Sequence, residues 1–418
     1  MEYKRLKELA SISISNVDKK CNENEQSVRL CNFTDVYRNW AITRNMVLDF
    51  MVASAKKSEI DKFTLHKGDV CITKDSETKD DIGMSTYVAD DIDNLVLGYH
   101  CAVISPDKSQ LDGKYLNAFL QTSFVRKFFE LNASGSGQRF TLSLDAIGNI
   151  PIPMISLDDQ KKKGLLFSLI DRKIENNNKI NDNLAQYADT IYDYWFTQFD
   201  FPDENNLPYR TSGGKMEWRN ETKTCIPAGW QIGSLYDIAD FINGLACQNY
   251  RPQNGEEALH VIKIKEIHEG ITDSTEFVSA NIPAKYIINN GDILFSWSAS
   301  LEVAYWFNET AGLNQHIFKI VPKKGLYHYF VYEQLTKYID KFRRIAESRK
   351  TTMGHITSDH ISQSRIVIPP AKVISMFEQR MTPILNAQKS VANETRQLVS
   401  LRRYLLPLLL NGQTYFED

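Results

Sequence analysis

The sequence has no closely spaced pair of cysteines and no long apolar run. Its six cysteines are scattered through 418 residues without a CxxC motif. That pattern argues against a disulfide framework or a zinc ribbon and is typical of reduced thiols in a cytoplasm. The most apolar stretch, residues 405–410, is much shorter than a membrane span and contains Pro407. No apolar stretch follows the first five residues. We therefore expect no signal peptide, no membrane partner and a cytoplasmic location.

Motifs that carry catalysis are also missing. The sequence contains no GxxxxGK[ST] loop and no GxGxxG loop. It lacks the Asn/Asp-Pro-Pro-aromatic tetrapeptide of amino-methyltransferases, because the Pro-Pro pair at 369–370 has neither flanking residue. His355 and His360 could bind a metal, but ordinary polar loop residues are the better interpretation. The Gly-Asp pairs at 68–69 and 291–292 suit turns better than catalytic acids. We predict a chain that is not an enzyme and holds no metal or cofactor.

The charge of the chain gives little guidance about its ligand. A net charge of −3 argues against nucleic acid only weakly, since binding depends on a local basic face. Residues 337–350 contain such a cluster, made of Lys337, Lys341, Arg343, Arg344, Arg349 and Lys350. On charge alone, a solvated helix face is the simpler interpretation of this cluster.

Two stretches carry the heptad pattern of long helices that need a partner. In residues 157–200 the predicted seam is Leu166, Ile170, Lys173, Asn177, Ile180, Leu184, Tyr187 and Ile191. In residues 371–412 it is Ile374, Phe377, Met381, Ile384, Gln388, Val391, Thr395, Leu398, Arg402 and Leu405. Ser156 and Asp159 form a candidate capping box for the first helix. We expect Pro383 to kink or break the start of the second helix, and Pro407 to help end it.

The matched lengths of these stretches favour an antiparallel intramolecular coiled coil. Polar residues on the two seams would fix its register at some cost in stability. The alternative is two amphipathic helices that are buried in separate domains.

The chain is also an internal repeat. Five segments recur in the same order: 6–9 with 235–238, 32–36 with 263–267, 63–70 with 286–293, 115–129 with 327–342, and 150–153 with 367–370. The second pair alternates like a strand, the third predicts a turn into a strand, and the fourth is compatible with helix. Each match is weak alone, but together they predict globule, long helix, globule, long helix. A connector rich in Pro, Gly and Asn, at 201–229, separates the halves.

Each half contains a polar loop ahead of its long helix, at residues 134–140 and 348–355. Arg and Gln side chains read guanine and adenine edges, and hydroxyl groups hold phosphates. The candidate DNA-binding residues are therefore Ser134, Ser136, Gln138 and Arg139 in the first loop, and Arg349, Lys350, Thr351 and His355 in the second. Trp297 marks a further candidate surface. The alternatives are solvated loops without a ligand and a core tryptophan on a strand.

The order of the segments and their amino-acid sequences resemble those of the specificity subunit of type I restriction–modification systems. The resemblance is carried by Ile-Pro-Ile-Pro-Met-Ile-Ser-Leu-Asp-Asp-Gln at 150–160, and by residues 170–181, 195–202, 212–218, 226–230, 291–296 and 405–412. It covers essentially the whole chain, with its most specific motifs in the middle. The fold class predicted is α/β, with target-recognition domains at 1–156 and 230–370. The central helix at 157–200, the connector at 201–229 and the distal helix at 371–412 complete the chain.

The resemblance implies a non-catalytic subunit whose two domains each read half of a split double-stranded DNA target. It implies two methyltransferase subunits as partners, which carry S-adenosylmethionine and modify adenine, and restriction subunits for cleavage. Two similar globules on a rigid spacer suit such a ligand on physical grounds too, since major-groove reading repeats at each helical turn. A stand-alone DNA-modifying enzyme and a coiled-coil scaffold that binds no DNA remain as alternatives.

Overall fold

The computed structural model describes residues 2–137, 139–272, 274–298, 301–323, 328–348 and 356–410. The chain divides into two compact units. Unit 1 combines the chain up to Asn176 with the chain from Thr395 onward, and unit 2 is Asn177–Glu394. Both boundaries fall inside long helices, so each unit contains part of each helix. The division into five segments made from the sequence stays a prediction.

Unit 1 has thirteen strands among its described residues. They are β1 Glu2–Arg5, β2 Ala10–Ile14, β3 Gln26–Cys31, β4 Ala41–Ile42, β5 Val52–Ala55, β6 Val70–Thr73, β7 Asp75–Ser76, β8 Ser85–Val88, β9 Leu95–Leu97, β10 Cys101–Pro106, β11 Ser134–Ser136, β12 Arg139–Thr141 and β13 Pro151–Met154. Its helices are α1 Phe33–Arg38, α2 Arg44–Val47, α3 Lys57–Phe63, α4 Gly113–Leu120, α5 Ser123–Asn132, α6 Leu144–Gly148 and the first part of α7, Leu157–Tyr192. A short 3-10 turn, Leu6–Glu8, follows β1.

The main sheet of unit 1 has the strand order β2-β10-β6-β8-β4. A second sheet runs β5-β3-β9, and a smaller one, β11-β12-β7, carries the first polar loop. Strand β1 pairs with β13, which directly precedes α7. Helices α4 and α5 cover the main sheet with fully buried aromatic rings, among them Tyr115, Phe119 and Phe129. Phe167 of α7 joins the same core.

Unit 2 has twelve strands among its described residues. They are β14 Met216–Arg219, β15 Thr224–Pro227, β16 Gln231–Gly233, β17 Ala239–Asn243, β18 Ala258–Ile262, β19 Phe277–Ser279, β20 Ile287–Ile288, β21 Ile293–Ser296, β22 Glu302–Tyr305, β23 Ala311–Leu313, β24 Ile317–Pro322 and β25 Ile366–Ile368. The helices are α8 Leu235–Ile238, α9 Ile264–Glu269, α10 His328–Ser348, α11 Ser358–Ser362 and the first part of α12, Ala371–Leu410. After α7 the chain continues as a π-helical turn, Asp193–Thr197.

The sheet topology confirms the internal repeat. In unit 2 the order β17-β24-β21-β22 reproduces β2-β10-β6-β8 of unit 1, and β19-β18-β23 reproduces β5-β3-β9. In the second of these matched sheets, β3 pairs with β9 in unit 1 and β18 pairs with β23 in unit 2, and both pairs are parallel. Strand β16 pairs with β25 ahead of α12, as β1 pairs with β13 ahead of α7.

The prediction of strands at 32–36 and 263–267 is wrong, because both segments open short helices. Their acidic residue stabilises the first turn: Asp35 Oδ2 accepts the backbone N–H of Asn32 at 2.8 Å, and Glu266 Oε2 accepts that of Lys263 at 3.1 Å. An acid three residues after the N-cap satisfies a donor that the helix itself leaves open. Five alternating residues were too few to separate this pattern from a strand.

The two Gly-Asp pairs form the turns predicted for them. Gly68 and Gly291 have φ of +102° and +103°, which favour glycine over any residue with a Cβ. In each turn the following aspartate accepts a backbone N–H three residues before it: His66 to Asp69 at 2.8 Å, and Asn289 to Asp292 at 2.7 Å. Strands β6 and β21 begin directly afterwards.

The first long helix begins where the capping pattern predicted. Ser156 Oγ accepts the backbone N–H of Asp159 at 3.1 Å, and α7 starts at Leu157. Three of the eight predicted seam positions are wrong, however. Lys173, Ile180 and Tyr187 are exposed, and the buried or half-buried row is Phe167, Ile170, Ile174, Asn177, Asn181, Leu184 and Ala188.

The predicted seam of the second long helix is confirmed. Ile374, Phe377, Met381, Ile384 and Gln388 are buried, and the remaining five positions are half-buried. The expected break at Pro383 is wrong, because α12 continues through it and through Pro407 to Leu410. The kink expected as its alternative stays a prediction. Pro383 is exposed, so its ring lies on the face that meets no core side chain. Helices that pack along their length tolerate a missing hydrogen bond on such a face.

The helices pair antiparallel in unit 2. Asn177 Nδ2 donates to Glu394 Oε2 at 2.9 Å, and further along α7 the ring of Tyr192 lies 6.1 Å from that of Phe377. In unit 1, Arg402 Nη1 lies 3.3 Å from Asp171 Oδ1. The predicted α/β class and helix pair are therefore confirmed. Within the described ranges, no helix combines the length and apolar character needed to cross a bilayer.

Candidate nucleic-acid interface

In unit 1, strand pairing brings three distant segments to one place. Strand β6 ends at Thr73, and the next residue, Lys74, donates its backbone N–H to the carbonyl of His100 at 2.9 Å. Asp75 then opens β7, whose partner β12 starts at Arg139. The first polar loop therefore lies against the ends of the two central strands of the main sheet.

Asp75 is the centre of this group. Its carboxylate accepts from Lys74 Nζ at 2.8 Å, and it lies 2.5 Å from His100 Nδ1 and 3.4 Å from Arg139 Nη2. Burial works to raise the pKa of Asp75, but hydrogen bonds from Lys74, Thr141 and His100 outweigh it and hold the pKa at about 2. The carboxylate is therefore ionised at neutral pH and holds cationic and neutral donors together.

A cleft of 560 Å³ opens beside these residues. Its described lining is Phe33, Tyr37, Asp75, Ser76, Glu77, Thr78, Asp81, His100 and Arg139. Two of its rings are stacked, those of Phe33 and Tyr37, with centroids 5.8 Å apart. The side chain of Arg139 is 65% exposed, so its remaining donors face solvent at the rim.

The equivalent place in unit 2 is built from different side chains. There β21 ends at Ser296, and Trp297 donates its backbone N–H to the carbonyl of His316 at 3.4 Å. Trp297 thus stands where Lys74 stands in unit 1, and the next residue, Ser298, stands where Asp75 does. The half-buried indole donates from Nε1 to Asn243 Oδ1 at 3.1 Å.

The described residues that follow the two polar loops make equivalent backbone hydrogen bonds. Leu142, just after the first loop, donates its backbone N–H to the carbonyl of Lys74 at 2.8 Å. Ile356, just after the second, donates to the carbonyl of Trp297 at 3.3 Å. Short helices, α6 and α11, follow both positions. Trp297 therefore accepts a backbone hydrogen bond from the residue that directly follows the second loop.

The structure describes some of the predicted site residues. Ser134 is exposed, and its Oγ donates to the carbonyl of Thr141 at 3.4 Å. The backbone of Ser136 pairs with that of Arg139 across the β11–β12 hairpin. The others, Gln138, Arg349, Lys350, Thr351 and His355, lie outside the described residues. The assignment of all nine residues to DNA binding stays a prediction.

Sequence reasoning missed Lys74, Asp75 and His100. One signal was available, because two charged residues directly follow a buried strand after the Gly-Asp turn. His100 gave a weaker one: it has a φ of +68°, which is uncommon outside glycine.

The described part of the basic cluster at 337–350 fits the simpler interpretation of a solvated helix face. Lys337 is bound by Asp189 and Asp193, at 2.6 and 3.0 Å, and Arg343 Nη1 donates to Asp340 at 2.9 Å.

The described residues offer no metal site. Among them, His, Cys, Asp and Glu side chains form no group of three or more that could hold a metal ion. The ring Nδ1 of His360 accepts the backbone N–H of Thr357 at 3.1 Å, at the start of α11. His360 therefore serves as a helix cap, and its suggested partner His355 lies outside the described residues.

The family model for the type I restriction modification DNA specificity domain matches this chain at residues 1–186 and 227–395. The chain belongs to this family. It is 23% identical over 405 residues to the HindI specificity subunit of Haemophilus influenzae, covering 84% of this chain and 88% of that protein. It is 22% identical over 325 residues to the MjaIX specificity subunit of Methanocaldococcus jannaschii, covering 74% and 71%.

A solved structure agrees with the fold of a specificity subunit. The crystal structure of the type I S subunit from M. genitalium aligns with a TM-score of 0.54 at 13% identity, covering 100% of this chain and 96% of that one. Specificity subunits are non-catalytic, so family membership confirms the prediction that this chain is not an enzyme. Membership in the DNA specificity family also supports DNA target recognition as the role of this subunit.

Proposed function

We propose that this chain reads a bipartite double-stranded DNA target and directs partner methyltransferase and restriction subunits to it. One observation carries the proposal. The two units have equivalent backbone hydrogen bonds where the central strand ends and where the polar loop ends, but the side chains at these positions differ. Lys74 and Asp75 occupy in unit 1 the positions that Trp297 and Ser298 occupy in unit 2. A repeated scaffold with unlike contact groups suits two half-sites of different sequence.

The partners complete the proposal. The chain itself holds no cofactor, and S-adenosylmethionine binds to the methyltransferase subunits, two per complex, which modify adenine. Restriction subunits join for cleavage, and the assembly works in the cytoplasm, where its DNA is. The paired helices α7 and α12 act as the spacer between the half-sites, because a long antiparallel pair is stiff along its axis.

Methylome sequencing of a host that expresses this chain with its methyltransferase partner tests the proposal. We expect modified adenines inside two short conserved blocks separated by a gap of fixed length. Arg139→Ala should relax one block, and Lys350→Ala the other. A single uninterrupted target would contradict the proposal, and so would equal changes in both blocks from Arg139→Ala. A chain that binds no DNA even with its partners would instead be the coiled-coil scaffold.

A further inference from the structure

We propose that Asp75 positions Arg139 and its neighbours to select a G·C base pair in the half-site read by unit 1. This inference rests on the proposed function and adds the identity of a base pair to it. It makes Asp75 a positioning residue, which acts through the donors that it holds, and Arg139 the residue that contacts the base.

The Asp75 carboxylate lies at the centre of a group of hydrogen-bond donors. Asp75 has only 7% of its surface exposed, and three donor groups converge on it from separate segments: Lys74, His100 and Arg139. His100 Nδ1 also lies 2.8 Å from Arg139 Nη2. When that nitrogen carries the hydrogen, it donates to Asp75 and cannot also accept from Arg139, whose Nη2 then has His100 Nε2 and Asp75 Oδ2 as acceptors, each at 3.4 Å. The guanidinium then keeps most of its donors free for a ligand at the rim of the cleft.

The charge of the cleft decides between a phosphate and a base as the ligand of Arg139. Among its described lining residues, Asp75, Glu77 and Asp81 are carboxylates, whereas Arg139 is the permanent cation. A phosphate, with its full negative charge, would be repelled by this lining. A base edge is neutral and is recognised by matching donors with acceptors, so the mixed lining favours it.

The pattern of donors and acceptors on the base edges favours a G·C pair. Guanine presents O6 and N7 as acceptors in the major groove, and arginine is the side chain that most often bonds them. Its paired cytosine presents an amino donor, which Asp or Glu accepts. Arg139 beside exposed Glu77 offers both kinds of group within one cleft. An A·T pair offers no such pair of acceptors on one base.

Unit 2 has different side chains at the equivalent positions. Ser298 occupies the position of Asp75 and carries no charge, and Trp297 occupies that of Lys74. In the described part of unit 2, no carboxylate therefore stands at this position to gather donors. The selection by Asp75 acts on one half-site only.

The test uses the full complex with its methyltransferase partner and a DNA library that varies each base pair of the target. Methylation and equilibrium binding are measured at two salt concentrations for the wild type, Arg139→Ala, Asp75→Asn and the matched control Asp81→Asn. Asp81 lines the same cleft but bonds Tyr37, at 2.9 and 3.0 Å. Asp75→Ser, which copies unit 2, replaces Asp75→Asn if that variant does not assemble.

We expect Arg139→Ala to reduce the preference for a G·C pair at one position by about 5- to 150-fold. Asp75→Asn should reduce the same preference, leave the other half-site unchanged and leave the salt dependence as in the wild type. Asp81→Asn should behave like the wild type in the selection of that pair. Arg139 is exposed, so its replacement leaves folding intact.

Several results would overturn the inference. If the relaxed position is an A·T pair, the base assignment is wrong. If Arg139→Ala weakens all sequences alike and lowers the salt slope by about one, Arg139 contacts phosphate. If neither Asp75 variant changes what Arg139→Ala changes, Asp75 does not position it. A wild-type complex without a two-part target would instead refute the proposed function.

Discussion

Replacing both members of the Asp171–Arg402 pair with apolar residues should leave unit 1 as stable as before, or more stable. The charged atoms lie 3.3 Å apart, and the side chains are 18% and 25% exposed. Burial raises the pKa of Asp171 to about 6, against the attraction of Arg402, and burial also lowers the pKa of Arg402. Both charges are therefore penalised despite their contact. A rise of about two pKa units corresponds to roughly 3 kcal/mol.

The single and the double substitution are expected to change the unfolding free energy of unit 1 by different amounts. Arg402→Met alone leaves an unpaired buried carboxylate and should cost about 3–5 kcal/mol at pH 7. Asp171→Leu with Arg402→Met removes both penalties and should change the unfolding free energy of unit 1 by roughly 0 to +4 kcal/mol. About 0.5–1 kcal/mol is lost in either case, because the Arg402 guanidinium lies 4.9 Å from the Trp40 ring.

The same pair makes the unfolding free energy of unit 1 depend on pH. The carboxyl of Asp171 has a higher pKa in the folded unit than in the unfolded chain, so the folded unit holds more protons between about pH 4 and pH 6. The unfolding free energy contributed by this residue therefore falls as pH rises through that window and stays low above it. Asp171→Leu removes the slope.

Hydrogen exchange measured by mass spectrometry gives the stability of each unit separately, with unit 2 as the internal reference. Lys127→Met with Glu130→Leu is the matched control, an exposed ion pair in unit 1 whose loss should matter by less than about 1 kcal/mol. The reasoning is refuted if the double variant costs 3 kcal/mol or more, or if the slope between about pH 4 and pH 6 survives in Asp171→Leu.

Three further predictions concern other parts of the chain. Gly291→Ala should destabilise unit 2 by about 1–3 kcal/mol, because the φ of +103° strains any residue with a Cβ; unaltered exchange in unit 2 would contradict this. The purified chain alone should transfer no methyl group from labelled S-adenosylmethionine to DNA, and transfer above background would revive the enzyme alternative. Four residues inserted after Asn176 lengthen α7 by about 6 Å, so the gap in the methylated target should grow by one to two base pairs. An unchanged gap with full activity would mean that the helices do not measure DNA.

The long helices show what periodicity can predict. The seam of α12 is rich in large apolar residues on one row, and every predicted position is buried or half-buried. Helix α7 offers two competing rows through Asn177. The row with Ile180 and Tyr187 is more apolar, yet these side chains are 43% and 51% exposed, while Asn181 lies on the packed side. The position of the partner decides between such rows, and the partner is about two hundred residues away.

The candidate site marks the limit of local patterns. Arg139 and Trp297 were predicted from the kinds of side chain in their neighbourhoods. Trp297 is linked to the end of the second loop by one backbone hydrogen bond from Ile356. Backbone contacts between distant segments also bring Lys74, His100 and Arg139 together around Asp75. Along the chain, His100 lies 25 positions from Asp75, and Arg139 lies 64 positions from it. No window of sequence contains that geometry.

The path of the chain through the two units has a consequence for synthesis. Unit 2 is one continuous stretch, whereas unit 1 needs residues from both ends of the chain. Asp171 and Arg402, which are 231 positions apart, are in contact, and Leu406 packs into the hydrophobic core of unit 1. The part that leaves the ribosome first is therefore the part that closes last. At about 5–20 residues per second, unit 1 waits for roughly 12–47 seconds with an open apolar face. Its sheets must resist aggregation during that interval without the last turns of α12.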